Sequence, residues 1–186
     1  MMDLRYLISA FTIVVYSISQ VQSDLVHWSY GSFIFPMNKS LEFEVTVISP
    51  TTPGTYPVIF FLTGYSGLIP YSLYTELLSD IANFDGHNSI IVSFDKLGIL
   101  HLPDKEEMIF ELSLNWAVEN LNNLFNSDKT PDLIKKKVFP YNGRNGFTIM
   151  AHSAGAHPTC SFLKKQCGEI KKVVWLDPGI FIKYFF

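Results

Sequence analysis

The chain has 186 residues, enough for one domain of ordinary size, and its formal net charge at pH 7 is −3. Hydrophobic residues make up 48% and charged residues 17%, a balance that excludes a disordered chain. The small net charge, with no basic cluster larger than Lys135-Lys136-Lys137, argues against nucleic acid as a partner.

The N-terminus has the pattern of a secretory signal peptide. Arg5 provides a positive charge, residues 6–18 are apolar, and Val21-Gln22-Ser23 places small side chains where signal peptidase cuts. We therefore expect residues 1–23 to be a signal peptide and the protein to be secreted. A signal anchor is the alternative, although the apolar run is shorter than the ~20 residues that span a membrane. Secretion would make Asn38 a glycosylation site, because Asn38-Lys39-Ser40 is a sequon.

Strand-like and helix-like segments alternate along the rest of the chain. Strands are predicted at 41–49, 56–62, 89–94, 147–150 and 172–176, and helices at 71–84, 106–125 and after residue 153. The alternation of polar and apolar residues in 41–49 predicts a half-exposed strand. The segment 126–144 is polar and irregular, with a short helix at 132–137. This order predicts an α/β fold whose functional residues lie at the carboxyl ends of parallel strands.

The segment Ala151-His152-Ser153-Ala154-Gly155 directly follows a predicted strand and precedes a predicted helix. This is the layout of a nucleophile elbow, in which a sharp turn presents a serine hydroxyl above a parallel sheet. Small residues two before and two after the serine are required because neighbouring backbone comes close. Ala151 stands where glycine is commoner. The alternative is that Ser153 and Gly155 belong to an ordinary loop.

A nucleophilic serine needs a histidine base, an acid that orients the base, and N–H donors for the oxyanion. The backbone N–H groups of Ala154 and Tyr65 are the candidate donors, the second from the loop Thr63-Gly64-Tyr65-Ser66-Gly67. That loop could instead be only a tight exit from its strand. Asp177 is the candidate acid because it ends the strand after the elbow, although Asp-Pro-Gly is also a turn sequence. Asp95 ends an earlier strand and is interpreted as structural.

Two segments carry a family resemblance. Tyr56-Pro57-Val58-Ile59-Phe60-Phe61-Leu62-Thr63-Gly64-Tyr65 resembles the corresponding segment of chlorophyllase-like esterases, with Thr63 where those proteins usually have histidine. Ala151-His152-Ser153-Ala154-Gly155-Ala156-His157, together with Trp175-Leu176-Asp177-Pro178-Gly179, is similar to secreted animal triglyceride lipases and phospholipases A1.

Both families belong to the α/β-hydrolase superfamily. The resemblance implies a mostly parallel sheet with flanking helices, Ser153 as nucleophile and Asp177 as acid. It also implies a hydrophobic carboxylic ester or a lipid as substrate, with contact to a lipid surface as an option. No metal or organic cofactor is implied.

The histidine base is missing from this pattern, because the superfamily order is serine, acid, histidine and no histidine follows Asp177. His152 adjoins the nucleophile and is expected to point away from it, and His157 is expected to be a packing or surface residue. His27, His87 and His101 have no supporting motif. Residues 24–186 are therefore expected to be a partial α/β-hydrolase domain that lacks its last strands and is inactive. The alternatives are a non-catalytic secreted binding protein with this fold and an unproductive fragment.

Cys160 and Cys167 both fall near the helix after the elbow. In a continuous helix, seven residues separate them by ~10 Å along the axis, too far for a disulfide. A helix that ended before Cys167 would permit one, so the sequence leaves the bridge open. The pair does not resemble a metal site.

Overall fold

A computed structural model describes residues 24–34, 42–64, 69–97, 103–141, 147–165 and 170–177. The predicted signal peptide, Asn38, Tyr65, His101 and Cys167 lie outside these ranges.

Strands and helices alternate along the described part of the chain. In order, they are β1 (Leu25–Ile34), β2 (Glu42–Pro50), β3 (Gly54–Tyr56), β4 (Val58–Leu62), a 3₁₀ turn (Tyr71–Tyr74), α1 (Thr75–Ala82), a second 3₁₀ turn (Phe84–Gly86), β5 (Ile90–Leu97), α2 (Pro103–Asn126), β6 (Val138–Pro140), β7 (Phe147–His152), a third 3₁₀ turn (Ser153–Gly155), α3 (Ala156–Lys165) and β8 (Ile170–Leu176).

Six of these strands form one mixed sheet in the order β1-β2-β5-β4-β7-β8, and β3 pairs with β6 in a small parallel sheet. The pairs β5–β4, β4–β7 and β7–β8 are parallel, whereas β1–β2 and β2–β5 are antiparallel. The crossovers between parallel strands contain the helices, as parallel pairing requires. This confirms the predicted α/β class, a mostly parallel sheet with flanking helices.

The helices cover both faces of the large sheet. Because side chains alternate along a strand, β4 sends Phe60 and Leu62 to one face and Phe61 to the other. The first face packs against α2 and α3 through a large apolar core that includes Leu114 and Phe162. The second packs against α1 through a smaller core that contains Phe61, Tyr74, Leu78, Ile91 and Met150. Parallel strands buried on both faces explain the continuous apolar runs in the sequence.

Strand β2 is almost wholly buried, so the prediction of a half-exposed strand was wrong. The reason is β1, which sequence patterning did not identify and which pairs along the whole of β2. With β1 on one side and β5 on the other, β2 is an interior strand. Its apolar residues Phe43, Val45 and Val47 face the core against α2.

Other boundaries also differ from the predictions. The helix predicted at 71–84 is a 3₁₀ turn followed by α1, and β5 continues past Asp95 to Leu97. The helix predicted at 132–137 is a series of turns, because Lys136 has a left-handed φ of 61° and β6 follows at once. Within the described ranges, no helix combines the length and the apolar composition that a membrane crossing needs.

Candidate active site

The turn after β7 holds Ser153 in a strained backbone conformation. The strand ends at His152, residues Ser153–Gly155 form a 3₁₀ turn, and α3 begins at Ala156. Ser153 has φ = 51°, in the left-handed region that costs an L-residue about 1–2 kcal/mol. Strain of this kind at a strand-to-helix turn is the defining feature of a nucleophile elbow. Sequence spacing located this turn, and the backbone has the conformation that the motif requires.

Gly155 is the position where the elbow presses against the end of β4. A Cβ atom on Gly155 would lie 2.6 Å from the carbonyl oxygen of Thr63 and 3.1 Å from that of Leu62. Both neighbours are backbone atoms at the end of the interior strand β4, so neither can rotate away as a flexible side chain would. Ala151, two residues before the serine, is fully buried. The small residues of the motif therefore have a steric reason here.

Strand register brings the candidate residues to the carboxyl ends of adjacent parallel strands. His152 pairs with Leu176, so Ser153 and Asp177 are the first residues beyond two adjacent strands. Asp177 is exposed and, like Ser153, has a left-handed φ, at 41°. On the other side of β7, Leu62 pairs with Ala151, which places the exit of β4 beside the elbow.

The last strand is tied to the helix that follows the elbow. The indole Nε1–H of Trp175 donates a hydrogen bond of 3.0 Å to Thr159 Oγ1, and the Thr159 hydroxyl donates to the carbonyl of Ala156. This link fixes the end of β8 relative to α3, two residues before Asp177.

Tyr74 connects the exits of β4 and β7. Its hydroxyl accepts a 2.9 Å hydrogen bond from the backbone N–H of Gly64 and lies 2.9 Å from His152 Nδ1. Its ring packs edge-on against Phe61 and His152, with centroid distances of 5.1 Å and 5.4 Å. Burial raises the pKa of Tyr74, so the hydroxyl keeps its proton at neutral pH.

Asp95 lies on the same face of the sheet as Tyr74. Its Oδ2 accepts a 2.7 Å hydrogen bond from the backbone N–H of Tyr71, whereas its buried Oδ1 has no partner among the described residues. Burial raises the pKa of Asp95 to about 6, and the nearby Glu44 adds to the shift against the opposing effect of the Tyr71 N–H. The Tyr71 hydroxyl in turn lies 2.6 Å from His27 Nδ1, and burial, followed by the charge of Asp95, raises the pKa of Tyr71.

The four described histidines occupy different places in the fold. His27 contacts Tyr71 and lies 3.3 Å from Ser79 Oγ, and burial lowers the pKa of His27. His87 is exposed just before β5. It therefore lies at the amino end of the parallel strands, whereas Ser153 lies at their carboxyl end. His152 contacts Tyr74, and His157 is half-buried in the first turn of α3.

The structure therefore places Ser153, Ala154 and Asp177 together, while Tyr65 and Asn38 lie outside the described residues. Sequence reasoning missed the contacts of Tyr74 with Gly64 and His152, because nothing local to Tyr74 indicates them. Cys160 carries a free thiol. In the described ranges, His, Cys, Asp and Glu side chains form no group of three or more that could hold a metal ion.

Comparison with known proteins gives a family match. A family model described as chlorophyllase matches residues 11–163, well over half of the chain. The match includes Ser153 and stops before β8 and Asp177. Among curated protein sequences, no match was found.

Solved esterase structures share the fold at low sequence identity. An esterase from the fungus Rhizomucor miehei aligns with a TM-score of 0.58 and 13% identity over 86% of this chain and 46% of that one. Brefeldin A esterase, a bacterial homologue of human hormone-sensitive lipase, aligns at 0.56 and 13% over 92% and 48%. A thermostable esterase from Pseudomonas putida aligns at 0.51 and 14% over 88% and 46%. The chain thus spans about half the length of the structures it matches.

Replacing Gly155 with alanine should disrupt the elbow. The added methyl would overlap the Thr63 carbonyl oxygen, and we expect a loss of roughly 2–3 kcal/mol in the free energy of unfolding. The control is Gly86→Ala, where no atom lies within 4 Å of the new Cβ and only the left-handed φ of 72° opposes the substitution. That variant should lose only about 1 kcal/mol. Urea denaturation of the two variants measures both values, and equal losses would contradict the close approach at Gly155.

The buried carboxyl of Asp95 should make stability depend on pH. Its folded pKa of about 6 exceeds its ordinary value of 3.8, so the folded state holds this proton more tightly than the unfolded state does. Stability from this group is therefore fully present below about pH 4, falls as pH rises to about 6, and is constant above that. The total change is about 2–3 kcal/mol.

The Asp95→Asn variant should lack this pH dependence and be more stable than the parent at pH 7, because no charge is buried. Asp80→Asn, at an exposed position on α1, is the matched control and should follow the parent. Urea denaturation from pH 4 to 7.5 gives the comparison. Parallel curves for the parent and Asp95→Asn would show that Asp95 does not titrate as stated.

Proposed function

This chain belongs to the chlorophyllase family, within the α/β-hydrolase superfamily of esterases and lipases, and on that basis we propose that it is a serine ester hydrolase with Ser153 as its nucleophile. The observation that carries the proposal is the left-handed backbone of Ser153 at the junction of β7 and α3. An ordinary loop serine has no need of this strain, whereas a nucleophile must project from the turn. The proposed substrate is a carboxylic ester with an apolar portion.

In the proposed reaction, Ser153 Oγ attacks the carbonyl carbon of the ester while its proton passes to a base. The carbonyl oxygen becomes an oxyanion, for which the backbone N–H groups of Ala154 and Tyr65 are the proposed donors. Collapse of the intermediate expels the alcohol, which takes a proton, and leaves an ester on Ser153. Water then attacks that acyl-enzyme, releasing the carboxylic acid and restoring the serine hydroxyl. Asp177 would orient the imidazole that moves these protons.

No histidine of these 186 residues is assigned as the base in this scheme. The chain has five histidines, and none follows Asp177 in the sequence. Of those described, His27 and His152 have hydrogen-bond contacts with tyrosines, His87 lies at the amino end of the parallel strands, and His157 is half-buried in the first turn of α3. We therefore propose that this 186-residue form turns over esters very slowly. The supporting argument is chemical, since an unassisted serine hydroxyl is a weak nucleophile at neutral pH.

Added imidazole should restore part of the reactivity of Ser153, because it replaces the missing base. We expect a fluorophosphonate to label Ser153 slowly, and 50–100 mM imidazole to raise the labelling rate by about tenfold, less than the ~100-fold or more that a positioned general base contributes. Mass spectrometry of the intact protein and of its peptides measures the rate and the position. Ser153→Ala should abolish labelling, and Ser161→Ala, in α3, should not change it.

Two outcomes would contradict the proposal. A folded parent protein that is never labelled at Ser153, with or without imidazole, would favour a non-catalytic binding protein with this fold. Ester turnover without imidazole that is lost in Ser153→Ala would overturn the proposed inactivity, because a histidine of this chain would then have to serve as base.

Secretion is a second part of the proposal, supported by the signal-peptide pattern of residues 1–23 and by the sequon at Asn38. Expressed in a eukaryotic secretory cell, the protein should appear in the medium with Asp24 as its first residue. It should also lose about 2 kDa, the mass of one N-linked glycan, on glycosidase treatment. Asn38→Gln should lose this mass shift without losing secretion. Retention of an uncleaved chain in the cell would contradict the proposal and favour a signal anchor.

A further inference from the structure

We propose that Tyr74 is a positioning residue, whose hydroxyl holds Gly64, at the exit of β4, at a fixed distance from the nucleophile elbow after β7. The inference rests on the proposed function, because it concerns the same serine. It assigns a role to a residue that lies 79 positions before Ser153 in the chain.

The hydroxyl of Tyr74 joins the two loops through one atom. Gly64 directly precedes Tyr65, the proposed oxyanion donor, and its N–H donates to the Tyr74 oxygen over 2.9 Å. His152 directly precedes Ser153, and its Nδ1 lies 2.9 Å from the same oxygen. The Gly64 N–H can only donate, so the hydroxyl hydrogen remains available for His152. The contact forms either with the Tyr74 hydroxyl donating to an unprotonated Nδ1 or with Nδ1–H donating to the Tyr74 oxygen, and both arrangements join Tyr74 to His152.

Packing alone does not account for a tyrosine here. The Tyr74 ring is 7% exposed and packs edge-on against Phe61, contacts that a phenylalanine would make equally well. A buried hydroxyl without partners would be destabilising, and this one is satisfied at both ends. The hydroxyl is therefore what distinguishes Tyr74 from a simple core residue.

The crowding at Gly64 shows how closely the parts fit. A Cβ atom at Gly64 would lie 2.7 Å from the Tyr74 hydroxyl oxygen, 3.0 Å from His152 Nδ1 and 3.1 Å from Ile69 Cδ1. We call the two contacts of the Tyr74 hydroxyl, with Gly64 N–H and His152 Nδ1, the Tyr74 bridge. No side chain larger than hydrogen fits at Gly64 while this bridge is present. The glycine of the loop is thus explained by the Tyr74 contact and needs no role in catalysis.

The bridge has a mechanical consequence for the proposed oxyanion hole. One donor, the Tyr65 N–H, follows Gly64, and the other, the Ala154 N–H, follows the elbow serine. The distance between the donors therefore depends on how the exits of β4 and β7 are held together. Oxyanion stabilisation depends steeply on donor position, and a shift of ~1 Å in a reacting group can cost ~100-fold in rate.

Tyr74 is itself held in place at both ends of its turn. It closes the 3₁₀ turn Tyr71–Tyr74, whose first N–H is bound by the Asp95 carboxylate at 2.7 Å. The helix α1 starts at the next residue and is anchored in the core by Leu78. Because the backbone of Tyr74 is fixed to β5 and α1, its hydroxyl is a rigid reference point for the two loops.

Tyr74→Phe removes the hydroxyl and keeps the ring. With imidazole present, the rate constant for labelling Ser153 by a fluorophosphonate should fall at least tenfold, while the melting temperature changes by only a few degrees. Tyr56→Phe is the matched control, since its hydroxyl donates to the Thr52 carbonyl in an exposed turn, and it should leave the rate unchanged. A Tyr74→Phe rate within twofold of the parent overturns the proposal.

A second measurement tests the contacts of the Tyr74 hydroxyl directly and does not depend on the reactivity of Ser153. In Tyr74→Phe, the ¹⁵N resonance of His152 Nδ1 should move and the Gly64 amide hydrogen should exchange faster with solvent. A slower labelling rate with both signals unchanged would overturn the bridge as the cause. The double variant Tyr74→Phe/His152→Phe should label no more slowly than the slower single variant, because both changes break the same link. Fully additive losses would overturn it.

The labelling experiment and the NMR and hydrogen-exchange measurements also distinguish failure of this inference from failure of the proposed function. If the parent is never labelled at Ser153, the hydrolase proposal fails by itself. Faster Gly64 exchange in Tyr74→Phe would still support Tyr74 as the residue that fixes this pair of turns, and unchanged exchange would overturn it.

Discussion

The left-handed conformation of Ser153 is the constraint on which the site depends. It turns the chain from β7 into α3 within three residues and leaves the serine at the edge of the sheet. Such a turn fits only if its second half can approach the neighbouring strand, and Gly155 provides that by lying against the Thr63 carbonyl. The strain at Ser153 is sustained by the strands β4 and β8 on the two sides of β7 and by α3, which packs against the sheet. A feature this costly, held by so much of the fold, has a functional explanation more readily than a structural one.

The alternation of side chains along each strand divides the site between the two faces of the sheet. His152 faces α1 and meets Tyr74, whereas Ala151 belongs to the core against α2 and α3. Ser153 is the first residue after the end of β7, so its side chain no longer follows the alternation of the strand. The hydrogen bonds of Tyr74 with the exits of β4 and β7 thus lie on the face of the sheet that packs against α1. The larger apolar core lies on the opposite face, against α2 and α3. This division lets one face carry buried polar groups without weakening the larger core.

Local patterns predicted much of this molecule, and long-range contacts supplied the rest. The strand-to-helix turn at Ser153 and the strand that ends just before Asp177 could be predicted, because an apolar run stands next to turn residues in both segments. The strand β1 escaped notice because Gly31 introduces a bulge that interrupts its alternation, and β3 and β6 are too short to show a period. The Tyr74–His152 contact joins residues 78 positions apart, so no local pattern could reveal it. Because β1 was not predicted, β2 was wrongly predicted to be half-exposed.

Two aspartates lie near the carboxyl ends of parallel strands, Asp95 within β5 and Asp177 directly after β8, and the order of the strands distinguishes their roles. β8 is the direct neighbour of β7, so Asp177 stands beside Ser153, whereas β4 separates β5 and Asp95 from the elbow. Their surroundings differ as well, since Asp177 is exposed and Asp95 is buried with one oxygen bound to the Tyr71 N–H. A triad acid must stay ionised and accept an imidazole N–H, whereas burial raises the pKa of Asp95 to about 6 and Asp95 Oδ2 already accepts from the Tyr71 N–H. Position and environment therefore both assign Asp95 to holding the Tyr71–Tyr74 turn and leave Asp177 as the candidate acid.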